Sequence, residues 1–491
     1  MSKVQSMLKK CETDVRLVIK MECDLTDEDK EGGNEKLELK SMREVEEEGK
    51  NMFPMCLPTP ESIYTICYTS GTTGKPKGVL ITHKNLTATL AGLIYANKDF
   101  ILSPSDVHIS YLPLCHLFEV IAQIFAYTGG ASIGFHCGDI KKLSSNIQAL
   151  RPTIFPAAPR VLNKIHDRIM TEISTRNFAV RSLFNYALNS KKSEVCNGVI
   201  RKDSFWDKIV FKKIQAKLGG RVRLVAVGSA PMAPEILQFF RATLGAKVYE
   251  GYGQTESTAG CSFTTPTDIT GGHVGPPLPQ SLIKLIDVPE KNYYAKDGCG
   301  EICVKGPNVF SGYYKNEEET SKALDQDGWL HSGDIGKWNN AGCLVIIDRK
   351  KNIFKLSQGE YIAPEKVENC YQKNPFVNQI FVNGNSLKAS LAAVLVPDPE
   401  YLRDWAKNNG YSTLSFQELC TNKEINKIIL DSLNETVATE LKGFEKVRKV
   451  YIEPTEFSIE NDLVTPTLKK KRASISVHYN DIFDEMYRSM E

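Results

Sequence analysis

The run Thr69-Ser70-Gly71-Thr72-Thr73-Gly74-Lys75-Pro76-Lys77-Gly78 gathers the groups that hold an anion. Its hydroxyls and backbone N–H groups can converge at close range because the glycines carry no Cβ, and Lys75 and Lys77 add positive charge. β-type runs flank it, Ser62 to Tyr68 before and Val79 to Thr82 after, so the loop would join two strands. It is not a loop of the Walker A type: position 69 is Thr where that motif opens on Gly, and Pro76 follows Lys75 in place of Ser or Thr. Taken alone, a glycine-rich loop is often only a turn.

A second group lies at Glu250-Gly251-Tyr252-Gly253-Gln254-Thr255-Glu256. The Tyr252 ring can pack on a purine, and Gly251 and Gly253 permit close backbone approach. Glu256 is a hard oxygen donor of the kind Mg²⁺ takes, and Thr255 offers a hydroxyl to a phosphate. The competing reading of a Thr-Glu pair is a cap at a helix start. Gly333-Asp334 by itself reads as a turn, and His116 by itself as a structural histidine. Lys469-Lys470-Lys471-Arg472 by itself is an exposed basic stretch or an import-like cluster. No His-Glu-x-x-His occurs, so zinc-protease chemistry has nothing to stand on.

In order along the chain these segments make a longer pattern. Tyr68 to Gly78 resembles the AMP-binding signature of the adenylate-forming ligases, which include acyl-CoA synthetases, luciferases and peptide-synthetase adenylation domains. Gly228-Ser229-Ala230-Pro231, Tyr249 to Glu256, Gly328 to Asp334 and Asp348 to Lys355 follow in that family's order. The continuation Gln358-Gly359-Glu360-Tyr361-Ile362-Ala363-Pro364-Glu365 resembles the eukaryotic long-chain fatty acyl-CoA synthetases in particular. The resemblance runs from about residue 40 to the C-terminus.

That resemblance implies an activity and a set of roles. A fatty carboxylate would attack the α-phosphate of ATP, giving an acyl-adenylate and pyrophosphate, and CoA would then take the acyl group with release of AMP. Thr69, Ser70, Gly71, Thr72, Thr73, Gly74 and Lys77 would hold the phosphates, and Glu250, Gly251, Tyr252 and Gly253 would form the adenine site. Asp334 would accept both ribose hydroxyls, with Arg349 on ribose or phosphate. Thr255 would touch the α-phosphate, and Glu256 and Thr69 would hold Mg²⁺. His116, Gly228, Ser229 and Ala230 would line the acyl site. Many relatives place a lysine where direct register here puts Thr467; Lys469 is the nearest replacement, with Lys470 and Lys471 open. Lys351 would stand at the hinge of a swinging C-terminal domain.

The expected fold is α/β: a large N-terminal adenylation domain, incomplete at its N-terminus, with a smaller α+β C-terminal domain. The segments are 1–60 (acidic, partly disordered), 61–348 (AMP-binding) and 349–491 (mobile). The phosphate loop begins at Thr69, far earlier than in the family, which raises the alternative of a truncated, catalytically weak or inactive regulatory form. A ligase for an aromatic or shorter acid is a further alternative. A peptide-synthetase module, which should carry a following carrier domain, is another.

The elements that must position these groups alternate as strands and helices from residue 62 onward. Strands are expected at His108 to Leu112, Ala131 to Phe135, Thr153 to Phe155, Val222 to Val227, Cys343 to Ile347, Gln379 to Val382 and Leu391 to Val396. Helices are expected at Lys84 to Lys98, Glu119 to Tyr127, Asp139 to Leu150 and Lys423 to Leu441, with exposed helices over 173–218. Residues 22–50 are acid-rich and read as solvated or disordered. With 491 residues, 42% of them hydrophobic, the chain can bury more than one core. A net charge of +2 gives no argument for nucleic acid or an anionic membrane. Thirteen scattered cysteines without a CxxC pair or signal peptide read as reduced intracellular thiols. No run reaches the ~18 apolar residues of a membrane span. The resemblance implies membrane association for full-length relatives, at the endoplasmic reticulum or mitochondrial outer membrane. This chain shows no such anchor, and a cytosolic location is expected if the truncated form is real. A homodimer is compatible with the resemblance.

Overall fold

The computed structural model describes residues 15–21, 24–26, 38–50, 56–69, 76–98, 100, 102–384, 387–465 and 468–490. It has two compact units, Met1–Thr59 and Pro60–Glu491. In the first, β1 (Leu17–Lys20) pairs in parallel with β2 (Glu38–Ser41), and the helix Met42–Glu48 follows. Acid-rich composition predicts disorder through Lys50, yet residues 38–50 hold a strand and a helix. The local cause is a capping box: the Ser41 side chain accepts from the Glu44 N–H while the Glu44 side chain accepts from the Ser41 N–H.

The second unit opens with an antiparallel hairpin, β3 (Ile63–Thr69) and β4 (Lys77–Thr82), in which Thr69 stands opposite Lys77. Ser70, Gly71, Thr72, Thr73 and Gly74 lie outside the described residues. Thr82 and Asn85 form a second capping box at the head of the helix His83–Ala96.

A doubly covered sheet follows, built from β5 (Val107–Ser110), β6 (Ser132–Phe135), β7 (Ile154–Ala157), β8 (Leu224–Val227), β9 (Lys247–Tyr252) and β10 (Ser262–Phe263). Its order is β10-β9-β8-β7-β5-β6, parallel except for the antiparallel edge strand β10. Short apolar strands separated by helices give this arrangement because parallel neighbours need long crossovers. The helices Pro159–Ser174, Phe178–Cys196 and Pro234–Leu244 close one core over Phe155, Val225, Phe239 and Phe240. The lysine-rich 173–218 region is not simply an exposed set of helices. Phe184, Leu188 and Val195 enter this core, and Lys191 is itself buried because Asp207 pairs with it at 2.9 Å.

An antiparallel meander of β11 (Leu282–Ile286), β12 (Cys299–Lys305), β13 (Leu330–Trp338) and β14 (Leu344–Arg349) packs with the hairpin around Val79, Ile81, Ile302 and Val304. Beyond it come the two-stranded β15 (Phe354–Lys355) and β16 (Tyr361–Ile362). A three-stranded sheet of β17 (Val377–Asn383), β18 (Leu391–Pro397) and β19 (Val447–Ile452) has β18 at its centre. This last region has cores of its own on both faces of β18. Arg349 belongs to β14, where it pairs with Asp334, so the boundary expected between 348 and 349 falls inside a strand. Polar contacts continue past it: the Glu365 N–H donates to Asp348 Oδ2 at 2.8 Å, and Lys350 pairs with Glu301 at 3.1 Å. Among the described residues, no helix is long and apolar enough to cross a membrane.

Candidate active site

The parallel strands aim their C-terminal ends at one place, the usual position of a ligand crevice in such sheets. A cavity of about 150 Å³ opens there, lined by Gly228, Ser229, Gly251, Gly253, Gln254, Thr255, His116 and Lys469. Its other walls are mostly apolar, with Leu93, Phe100, Ile121, Phe125, Leu224 and Tyr249, and with Thr89, Asn97 and Ser262 as polar exceptions. Gly228 and Leu224 bracket β8, so the cavity extends about 13 Å along that strand. One end is therefore polar and the rest is mostly hydrocarbon.

The chain leaves β9 at Tyr252 and doubles back at once. A Cβ on Gly253 would lie 2.5 Å from the Ala259 backbone, so only glycine fits this return. The cap of the turn Thr255–Ser257 is made by Gln254 and Ser257, not by Thr255 and Glu256. Thr255 is thereby left to line the cavity, and the Glu256 carboxylate accepts the Tyr313 hydroxyl at Oε1, 2.8 Å away.

Tyr313 ties Glu256 to the phosphate hairpin. Its backbone bridges Val79, and the Lys77 ammonium lies 5.1 Å from its ring centre while pairing with Glu319. Lys322 and Lys77 together pull the Glu319 carboxylate down to about 2. Tyr313 and Glu319 were not among the residues expected from the sequence. The only local signal was the aromatic pair Tyr313-Tyr314 after Gly312, which does not reveal a partner dozens of residues away.

Asp334 is 5% exposed and held from two sides. The Tyr252 hydroxyl donates to Oδ2 at 2.7 Å, and Arg349 Nε stands 3.3 Å from Oδ1. Burial, then the Asp334 charge, raises the Tyr252 phenol well above its ordinary range. Tyr252 therefore orients Asp334 through its hydroxyl, a role distinct from the ring packing expected of it. Glu250 turns to the other face of β9, is 4% exposed, and does not line the cavity. Burial pushes its carboxyl up to about 8 despite nearby Arg241.

His116 ends the loop before the helix Leu117–Thr128 and lines the cavity with a buried Nε2 that has no protein partner. Burial lowers its pKa, and Lys469 lowers it further, which favours the neutral ring. Ser229, at φ +78°, turns the chain out of the sheet and leaves Ala230 exposed and outside the wall that Gly228 and Ser229 form. The basic cluster divides by side: Lys470 pairs with Glu368, Lys471 with Asp462, and Lys469 points into the cavity. Lys469 is exposed toward the cleft, but desolvation by the surrounding protein lowers its pKa, with Arg349 adding to the effect. Lys351 follows β14 in an exposed turn, its pKa lowered by burial of the ammonium and then by Arg349.

No cluster of three His, Cys, Asp or Glu side chains able to cage a metal occurs among the described residues. One oriented carboxylate, Glu256, and the Thr69 hydroxyl suit Mg²⁺, which takes few protein ligands when phosphates and water supply the others.

An α/β sheet with a cleft at its strand ends, a buried carboxylate at the neighbouring meander and a lysine from the C-terminal region define the class. The chain belongs to the AMP-binding enzyme family, matching it over residues 2–314. The match thus begins ahead of residue 40, where the resemblance was expected to start. Long-chain-fatty-acid–CoA ligase 1 of Cavia porcellus is 47% identical over 493 residues, 99% of this chain and 70% of that one. Long-chain-fatty-acid–CoA ligase 6 of Rattus norvegicus is 49% identical over 454 residues, 92% of this chain and 65% of that one. The chain spans about two thirds of the length of such relatives. The adenylation domain of a Segniliparus rugosus carboxylic acid reductase, solved with AMP and a co-purified carboxylic acid, matches with a TM-score of 0.74. It is 26% identical, with 97% of this chain and 72% of that one covered.

Proposed function

We propose that this protein is a long-chain fatty acid–CoA ligase that converts ATP, a fatty acid and CoA into acyl-CoA, AMP and pyrophosphate through an acyl-adenylate. The observation that carries this reading is a single cavity with one polar end, holding His116, Thr255 and Lys469, and a mostly hydrocarbon remainder along β8. A carboxylate at the polar end would lie beside a cation and a hydroxyl, and its alkyl chain would run along β8 toward Leu224 and Phe100.

In this reading Lys469 neutralises charge shared by the carboxylate and the α-phosphate as they approach, and Thr255 donates to a phosphate oxygen. Neutral His116 uses its unpartnered Nε2 to orient the fatty carboxyl group. Asp334, fixed by Tyr252 and Arg349, accepts the ribose hydroxyls, while Gly251 and Gly253 let the purine approach the backbone. Mg²⁺, when bound, supplies charge neutralisation at the phosphates. Glu256 and Thr69 would hold it, with Tyr313 keeping the Glu256 carboxylate in orientation. The residues beyond the turn that carries Lys351, about 353–491 and not 349–491, would act as the mobile domain, because Arg349 stays in β14 opposite Asp334. CoA brings its own thiol, so no protein cysteine is required.

The test is isotope exchange between pyrophosphate and ATP with palmitate as the acid. Palmitate-dependent exchange followed by palmitoyl-CoA formation is the expected result. Clean ATP binding without exchange would instead identify a regulatory form, and faster exchange with a short or aromatic acid would reassign the substrate.

A further inference from the structure

Four consecutive cations, Lys469 to Arg472, reach the C-terminal region together, and one buried carboxylate sorts them. Glu368, from the helix Pro364–Tyr371, has a side chain that is 2% exposed. Lys470 donates to its Oε2 and, at 2.8 Å, to the Ile380 carbonyl. Arg472 donates to its Oε1 at 2.6 Å and to the Val382 carbonyl at 2.8 Å, with its guanidinium 4.5 Å from the Phe381 ring centre. The Val382 N–H also donates to Oε1, at 2.8 Å. Burial would raise the Glu368 pKa, but Arg472 and Lys470 outweigh it and hold the carboxyl below its ordinary range.

Lys470, in a β-bridge with Val464, and Arg472, the first residue of the helix Arg472–His478, both turn to Glu368, while Lys469 goes to the other side. That side is the cavity. The segment is held further by the Thr465 N–H donating to the Lys469 carbonyl at 2.8 Å and the Lys471 N–H to the Leu463 carbonyl at 2.9 Å. Immediately before Lys469, Leu468 sits at φ +63°, a left-handed conformation that a leucine keeps only where its surroundings impose it.

We propose that Glu368 is a positioning residue for Lys469: by gripping Lys470 and Arg472 it holds the strained turn at Leu468 and aims Lys469 at the polar end of the cavity. This rests on the ligase reading for its effect on rate, but not for its geometry.

The experiment compares Glu368→Gln and Lys470→Met with wild type, each with and without Leu468→Gly. Pyrophosphate exchange with palmitate and ATP is one readout. The other is the rate at which acetic anhydride labels Lys469, followed by peptide mass spectrometry. The anchor requires kcat for exchange to fall at least about tenfold with KM for ATP nearly unchanged, and Lys469 labelling to change severalfold. Leu468→Gly should recover part of kcat, because glycine adopts the left-handed turn without an anchor. Wild-type kcat and labelling in folded Lys470→Met would overturn the proposal, as would a loss that Leu468→Gly does not relieve. Should Glu368→Gln fail to fold, Lys470→Met decides. Should wild type show no exchange, the ligase reading falls, and the labelling comparison alone decides the anchor.

Discussion

Asp334 and Arg349 face each other directly in the ladder of β13 and β14, with Arg349 Nε 3.3 Å from Asp334 Oδ1. Opposed residues in a ladder project to one face, so the pairing is fixed by register before any side chain chooses a rotamer. Tyr252, arriving from a different sheet, takes the second carboxylate oxygen. Motifs scattered over the sequence are thus brought onto one acid group, and a turn at 350–352 could move the rest of the C-terminal region without disturbing it.

Asp334→Asn should weaken ATP binding by about 10- to 100-fold, the loss of charge-assisted hydrogen bonds worth about 1.5–3 kcal/mol. Calorimetric titration with ATP checks this. Unchanged affinity would remove Asp334 from the nucleotide site.

Glu256→Gln should lower the exchange rate by about 10²- to 10³-fold and leave thermal stability within about 0.5 kcal/mol, because the residue lies outside every apolar core. Raising Mg²⁺ should restore part of the rate if Glu256 serves the metal. No dependence on Mg²⁺ would argue against that role.

The two glycines at the cavity should respond differently to alanine. At Gly228 a methyl would meet Gly251 and Phe118 at an ordinary 3.8 Å, so the fold should hold while the polar end of the cavity narrows and exchange falls for palmitate and shorter acids alike. At Gly253 the methyl would lie 2.5 Å from backbone, and destabilisation of about 1–3 kcal/mol or more is expected. Urea unfolding together with a series of acids separates these outcomes.

Glu250 gives a pH dependence whose sign can be stated. Its carboxyl stands near 8 in the folded protein against an ordinary 4.5, so between those values the native state keeps a proton that the unfolded chain has lost. Stability therefore declines as pH rises through this window. Glu250→Gln should remove the decline and gain on the order of a few kcal/mol at about pH 8. Denaturant midpoints for both proteins at about pH 5 and about pH 8 provide the check; parallel curves would show that Glu250 is ionised when buried.

Lys469 must be charged for the role proposed, and its environment lowers its pKa. Exchange should therefore fall as pH rises, at a pH below the ordinary lysine range. In Lys469→Arg the remaining activity should persist to higher pH, because guanidinium stays protonated. A profile with the same alkaline limb in both proteins would assign that limb to another group.

Much of the architecture was legible in the residues. The alternation of short apolar runs with helical patterns from residue 62 placed the strands β3 to β8 within a few residues, because β-branched and aromatic residues bounded by turn residues mark strands even where one face stays partly exposed. Composition was a poor guide where a specific pair overruled it. Ser41 with Glu44 builds a helix in an acidic stretch, and Asp207 allows Lys191 into a core that lysine-rich residues 173–218 did not suggest.

The sequence by itself determined the chemical inventory: which hydroxyls, carboxylates, glycines and cations exist, and in what order. Local chemistry is written in neighbours, so motifs such as Gly251-Tyr252-Gly253 announce close backbone approach without any knowledge of the fold. Tertiary structure decided direction. Whether Glu250 faces the cavity or the core, which of three lysines enters it, and that Tyr313 rather than a motif neighbour holds Glu256 depend on strand alternation, register and long-range packing. Those are set by contacts between residues far apart in the chain, and no local spacing encodes them.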